Sequence, residues 1–391
     1  MIKAGIGKNK TPDSFRAGIE AAQEAIKDLR GEKPDLILVT VSKNFDPQKT
    51  IEGIRNIIPE APLAGGSPGW GSITNKGVED EGVVVMAVSF EKIKIGVEYA
   101  EGVIEDPQKA GEILGKKLLK KGTPPKLLVI FTAVVGGMPA DPFLSSLKKK
   151  LGNNLDVIGG GTGDEMILKS SGCQFCNEKV LTKSIVGVGF WGDFSVSLKA
   201  RHGWEPLGIP MRVTKGKNNL VSEIDGRPAI EIFKKYFSEE EIKDPNFFSG
   251  KGEGFLYPLG IISEGKEIVI RQIIGSTEKG ELICANFLPQ KATIRLMQAQ
   301  VDKISETAKE VGNYISSQLG IKEPQVIFIF DCVTRRALLM PDYQKEINSF
   351  KEIVGDVPIF GYYSYGEICS EKREKEWLFH NETFTAAGLA E

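Results

Sequence analysis

The chain has 391 residues, 41% hydrophobic and 26% charged, which is enough for two or three domains with sizeable cores. Fifty basic residues against fifty-two acidic ones leave a net charge of −2, excluding a global attraction to nucleic acid or an anionic membrane. There is no bilayer-length apolar run or signal-peptide core, and five cysteines, an odd number, argue against a disulfide scaffold, so a cytoplasmic location is expected.

A capped helix start at Ser14 runs to about Arg30 and leads into a short apolar strand at 35–41. Asp46 and Pro47 open a second helix, closed by Pro59 and Pro62 before a glycine-rich turn at Gly65–Gly71. Strand-like stretches at 82–88 and 92–99 follow. The same order then returns, with a helix from Asp106-Pro107, a strand at 126–131 and a helix from Asp141-Pro142. Its glycine turn is Gly159–Gly163, followed by strands around 184–190 and 195–200. Between about 203 and 290, short extended stretches alternate with Gly and charged turns, interrupted by one helix at 228–237. A long helix over about 293–318, with Ile294, Met297, Val301, Ile304, Ala308, Val311 and Ile315 on one face, introduces a third copy. That copy has its strand at 325–330 and its glycine turn at Gly361.

This alternation predicts an α/β (α+β) fold of mixed sheets covered by helices. It is built from repeated α-β-α-β-β-β units, with a β-rich insert before the third. The expected division is a first domain at 1–202, holding pseudo-repeats 14–100 and 106–201. The second, at 203–391, joins the β-rich part 203–290 to the third unit 291–391.

The copies diverge just past the leading strands and the glycines, the edge at which open α/β sheets bind ligands. The third copy places Cys332 and Arg335 after its strand and Gly361, Tyr363, Tyr365, Gly366 and Glu367 in its turn, with His380 further on. Arg335 offers a planar fork for a carboxylate, and Glu367 accepts from an ammonium group. Together they would hold a zwitterion such as a free amino acid, walled by Tyr363 and Tyr365. The alternative is that Arg335 and Glu367 pair with each other. Gly160, Gly161 and Asp164 of the second copy suit close backbone approach to a small ligand, or a tight turn. Neither a Walker nor a Rossmann spacing is met, so nucleotide binding is not expected. The first copy's turn has no acid and reads as structural.

Cys332 could serve as a nucleophile, with His380 as base and Glu367 orienting it, in a hydrolase or transferase. The alternative is a buried, inert cysteine. Cys173-Gln174-Phe175-Cys176 is a lone C-x-x-C: a chance pair at a hairpin tip, half a zinc site lacking two ligands, or a redox pair. Two histidines leave almost no material for a His-rich metal site, and no cofactor is expected.

Several spaced motifs in one order resemble the FIST family (F-box and intracellular signal transduction). The first half carries Gly-Gly-Gly-Thr-Gly-Asp at 159–164. The second carries Gly203-Trp204, Glu223 to Ala229, Tyr257-Pro258-Leu259-Gly260, Cys332-x-x-Arg335, Gly361 to Ile368 and His380-Asn381. The resemblance covers nearly the whole chain and implies a sensory module that recognises small molecules such as amino acids. It places Asn381 among the ligand-binding residues. Family members are often fused to histidine kinase, diguanylate cyclase or chemoreceptor domains, or in animals to an F-box. No output domain fits in the remaining residues, so a signal would pass to a separate signalling protein. A scaffold that docks a kinase or ligase through the β-rich part is a further reading. Neither nucleic acid nor membrane is an expected partner.

Overall fold

The computed structural model describes the chain except residues 135–139, 166–169, 171, 250–251, 264–265, 321 and 372–375. The helix starts follow the sequence. Asp13 accepts from the Arg16 N–H at 3.0 Å, and Asp46 from Gln48 and Lys49 at 3.0 and 3.1 Å. Asp106 accepts from Lys109 at 3.0 Å, with Pro107 in the first turn. Each cap satisfies amide donors that the helix itself cannot.

The three copies build three six-stranded sheets of the same order. In each, the lead strand (Leu36–Val41, Leu127–Ala133 or Val326–Cys332) pairs in parallel with the glycine strand of its own copy. Those glycine strands are Leu63–Gly66, Asp156–Thr162 and Ile359–Ser364. On its other side the lead strand meets an antiparallel neighbour: Val83–Ser89, Ser184–Gly192 or Phe384–Ala390.

Beyond each glycine strand lies a hairpin that belongs to a different copy. The first copy's hairpin, Ser72–Thr74 with Gly77–Glu79, joins the third glycine strand. The second copy's, Gln174–Cys176 with Lys179–Leu181, joins the first. The third copy's, Glu367–Glu371 with Glu376–His380, joins the second. The exchange closes a pseudo-threefold ring. It runs across the expected boundary at 202, because Ser195–Arg201 is the edge strand of the third sheet.

The inner faces of all three sheets fill one apolar core. Phe131 stands 5.9 Å from Phe330 edge-on and 6.2 Å from Tyr362 nearly parallel, while Phe330 and Tyr362 are 5.3 Å apart. All are fully buried, and each such side chain contributes roughly 1.5–3 kcal/mol. Helices cover the outer faces.

The glycine turns are, for the most part, strands. Gly159–Gly161 lie inside Asp156–Thr162, and Gly361 inside Ile359–Ser364. A Cβ at Gly65, Gly159 or Gly361 would fall well inside 3.0 Å of the carbonyl oxygen of Val39, Ile130 or Ile329. Those three residues are the register partners on the lead strands. The shared glycine is thus a close-packing requirement of the parallel pair rather than a ligand signal.

The β-rich part forms a separate eight-stranded sheet, and the helix expected over 228–237 is a 3-10 helix at Ala229–Lys235. The long helix also starts later, at Val301–Leu319. Thr293–Gln298 is a strand of the insert, paired with Glu205–Leu207 and Leu259–Ile261. Its Ile294 and Leu296 alternate inward at period two, which tertiary pairing favours over the helical period that Ile294 and Met297 also fit. Ile304, Ala308, Val311 and Ile315 are buried as read.

Gly159→Ala and Gly361→Ala should each destabilise the fold by about 1–3 kcal/mol or more, seen as a lower urea midpoint. An unchanged midpoint would mean the strands have room to part.

Candidate functional site

The lead and glycine strands of the third copy end side by side, and the segment before the last strand folds over their ends. Asp331, Cys332, Arg335, Ser364, Glu367, Glu382 and Thr383 meet there. The Cys332 N–H donates to the Thr383 carbonyl at 3.2 Å, and Cys332 faces Ser364 across the parallel pair. Glu367 opens the exchanged hairpin, opposite Gly160 of the second copy. Its Oε1 accepts from Ser364 Oγ at 2.8 Å, and its Oε2 accepts from Thr383 Oγ1 at 2.8 Å and Thr383 N at 3.2 Å. The site therefore sits on the seam between the second and third sheets.

Arg335 lies in the short helix Val333–Leu339 and is fully buried. Its Nε is 3.1 Å from Asp331 Oδ1, and its Nη2 pairs with Glu346. It also donates to the carbonyl oxygens of His202 at 2.5 Å and Ile304 at 2.8 Å, and to Thr307 Oγ1 at 2.7 Å. Arg335 thus pairs with neither a free carboxylate nor Glu367. Its fork is consumed in tying the third lead strand to the two helices above it and to the start of the insert. That corrects the expected role: the nearest carboxylates are its own neighbours at i−4 and on Gln344–Val354.

Four carboxyls, Asp331, Glu346, Glu367 and Glu382, are fully buried around this one guanidinium. Desolvation raises the Glu367 pKa to about 8, against the opposing hydrogen bonds from Ser364 and Thr383. Desolvation likewise holds Asp331 and Glu382 well above the usual carboxylate range, with the Glu346 charge adding at Asp331 and the Glu367 charge at Glu382. Glu382 has left-handed backbone, φ 65°, a region costly for a residue with a Cβ. Among the described residues neither of its carboxyl oxygens has a hydrogen-bond partner. Thr334 lies near enough to favour its ionised form but outside hydrogen-bonding geometry.

The same burial, with Glu367 and Glu382 beside it, pushes the Cys332 thiol well above its ordinary value. His380 is the register partner of Glu367, yet its ring nitrogens have no hydrogen-bond partner among the described residues. Burial lowers its pKa to about 3, helped by the Arg271 charge. No hydrogen bond links Cys332, His380 and Glu367 as a relay among the described residues.

The second copy contributes the other wall. Gly161 N donates to the Gly366 carbonyl at 2.8 Å, Tyr365 N to the Gly161 carbonyl at 3.0 Å, and Tyr365 Oη to Asp164 Oδ1 at 2.7 Å. A Cβ at Gly160 would strike Phe330 and Ser364, and Gly366 needs its φ of 100°. Tyr363 lies elsewhere, in the outer core, with its ring centroid 5.2 Å from the Arg336 guanidinium. Asn381 bridges to Ile270 of the insert, and its Oδ1 is unpartnered. Cys173 and Cys176 are free thiols on the hairpin exchanged into the first sheet, both raised by burial, Cys176 to about 11.

A FIST N domain model matches residues 35–227, and a FIST C domain model matches residues 229–370. The chain belongs to the FIST family. FIST domains are sensory domains of signal transduction. An uncharacterized protein of Methanocaldococcus jannaschii is 25% identical, the match covering 95% of this chain and 76% of that one. One of Mycobacterium bovis is 23% identical over 94% of each chain. Among solved structures, a chorismatase aligns over 100% of this chain and 98% of its own at 8% identity and a TM-score of 0.39. A cyanuric acid hydrolase from A. caulinodans covers 49% of this chain and 71% of its own, at 8% identity and a TM-score of 0.29. Scores this low say nothing about what the FIST chain does.

The sequence singles out Cys332, Glu367 and the glycines as candidates, whereas Asp331, Glu346, Ser364, Glu382 and Thr383, which the fold gathers beside them, carry little signal of their own. Glu346 carries a faint signal, an acid on the apolar face of an amphipathic helix beside Ile347 and Phe350.

The raised Glu367 pKa gives a signed expectation. Between about pH 4.5 and 8 the unfolded carboxyl has lost its proton and the folded one retains it, so stability falls as pH rises. Glu367→Gln keeps the shape without the titration. Relative to that variant, the wild type should lose on the order of 1 kcal/mol per pH unit across this window, read by urea unfolding. A pH-independent difference would place the Glu367 pKa near its ordinary value.

Proposed function

We propose that this FIST protein senses a small molecule that presents an ammonium or similar donor group, an amino acid among them, to Glu367 and Glu382. The supporting observation is Glu382: a fully buried carboxyl, on left-handed backbone, with both oxygens unpartnered among the described residues. A buried polar group without a partner costs about 1–3 kcal/mol, more if charged, and such sites call for a missing partner. Four carboxyls around one guanidinium call for a positive one. An entering cation would stabilise the ionised acids and so release protons. Because Glu367 begins a hairpin shared between two sheets, ligand binding would bias the seam between copies, a route for a signal to a separate partner.

The test is a thermal-shift screen of amino acids and simple primary amines near pH 7. Calorimetry of any hit follows, in two buffers of different ionisation heat. The expected result is a rise in Tm, proton release on binding, and loss of both in Glu382→Gln. No shift with any amine would sink this reading.

A cysteine enzyme is the competing reading, and thiol chemistry separates the two. With its thiol held protonated and buried, Cys332 should react with a thiol reagent at neutral pH more slowly than the partly exposed Cys173. Faster labelling of Cys332 would favour the nucleophile.

A further inference from the structure

A second group of orphaned polar atoms lies where the insert closes on the second sheet, and it is donor-rich rather than acidic. Arg271, 4% exposed, ends the strand Lys266–Arg271. Its Nε donates to the Phe287 carbonyl at 2.7 Å, and its Nη1 to the carbonyls of Phe379 at 2.8 Å and Ile270 at 3.2 Å. Among the described residues no carboxylate lies within ion-pairing distance and Nη2 makes no hydrogen bond, leaving it the one nitrogen of the fork open to a further acceptor. Its guanidinium is thus held by carbonyls rather than by a contact ion pair, with Asp141 the carboxylate whose charge reaches it.

Those bonds fix its neighbours. Phe287 follows Asn286, whose Oδ1 accepts from the amides of Ala140 at 2.9 Å and Phe287 at 2.7 Å. Two amide donors on one atom settle the orientation of the side chain, so its other end is the Nδ2 donor, buried and unpartnered. Phe379 precedes His380, whose ring is buried with both nitrogens unpartnered. Ala140 precedes Asp141, whose Oδ2 is also unpartnered. Burial raises the Asp141 pKa although the Arg271 charge opposes it.

We infer that this junction binds a small carboxylate, held by Nη2 of Arg271, Nδ2 of Asn286 and the His380 ring. The carboxylate supplies a contact negative charge and acceptor atoms at once. This inference stands independently of the acid cluster at Glu382. Because the three donors come from the insert and from the third copy's hairpin, an occupied site ties the insert to the ring.

The test uses sodium acetate and sodium formate as probes, against sodium chloride at equal ionic strength, with Tm as readout. The wild type should gain at least about 2 °C with the carboxylates relative to chloride. Asn286→Asp keeps the Oδ1 acceptor and replaces the free donor with an internal carboxylate, so the gain should vanish. His380→Phe, which fills a similar volume without ring donors, should lower it. Equal action of chloride and acetate on the wild type would overturn the inference. So would an undiminished acetate response in both Asn286→Asp and His380→Phe.

Discussion

No sheet of the ring can be finished by its own copy. Each glycine strand needs a hairpin from elsewhere in the chain, and each hairpin leaves its copy just past the glycines. The crossing segments must therefore pass close to one another, and the hydrogen bonds show how closely. Gly69 N donates to the Tyr363 carbonyl at 2.7 Å, Gly163 N to the Ser67 carbonyl at 3.1 Å, and Gly161 N to the Gly366 carbonyl at 2.8 Å. Strand pairing across copies makes the three units one cooperative body with a common core. It also concentrates the segments in which the copies differ, so divergence in sequence becomes proximity in space.

Charge is distributed unevenly among those segments. The first crossing is anchored by Arg336, whose guanidinium lies 4.4 Å from the Trp70 ring and 4.2 Å from the Tyr343 ring while it pairs with Asp80 at 2.5 Å. That guanidinium is paired and stacked, and the arrangement reads as structural. The seam between the second and third copies gathers buried carboxyls instead, with Arg335 already committed to Asp331 and Glu346. Desolvation dominates there, which is why Glu367, Glu382 and Cys332 are all held toward their protonated forms. The junction at Arg271 inverts the sign, with Asn286 Nδ2 and the His380 ring unpartnered among the described residues and a guanidinium held by carbonyls rather than by a contact ion pair. His380 and Glu382, two residues apart in one segment, thus serve opposite electrostatic environments.

The legible part of the candidate site was residue type, and the illegible part was pairing. Cys332 and Glu367 stood out because they interrupt apolar strands at the ligand-binding edge of an α/β unit. Arg335 stood out for the same reason, yet its role turned on Glu346, eleven residues on and on another helix. Arg271 gave no signal at all, because an arginine ending an alternating strand looks like any solvated one. Its burial arises from the insert folding back onto Phe379 and Ala140, contacts more than a hundred residues apart in the chain.

Local physics was enough for much of the architecture. Asp13, Asp46 and Asp106 cap their helices because each lies where amide donors need an acceptor, and the apolar runs at Leu36, Leu127 and Val326 form buried strands in every copy. The threefold repeat itself was visible, since each unit follows the same periodicities. Which sheet each hairpin joins was not, because a three- to five-residue strand carries no record of its partner. Whether Thr293–Gln298 coils or extends was decided by the sheet awaiting it. Which guanidinium is spent and which is free depends on desolvation and on distances between remote segments, and only the folded chain sets those.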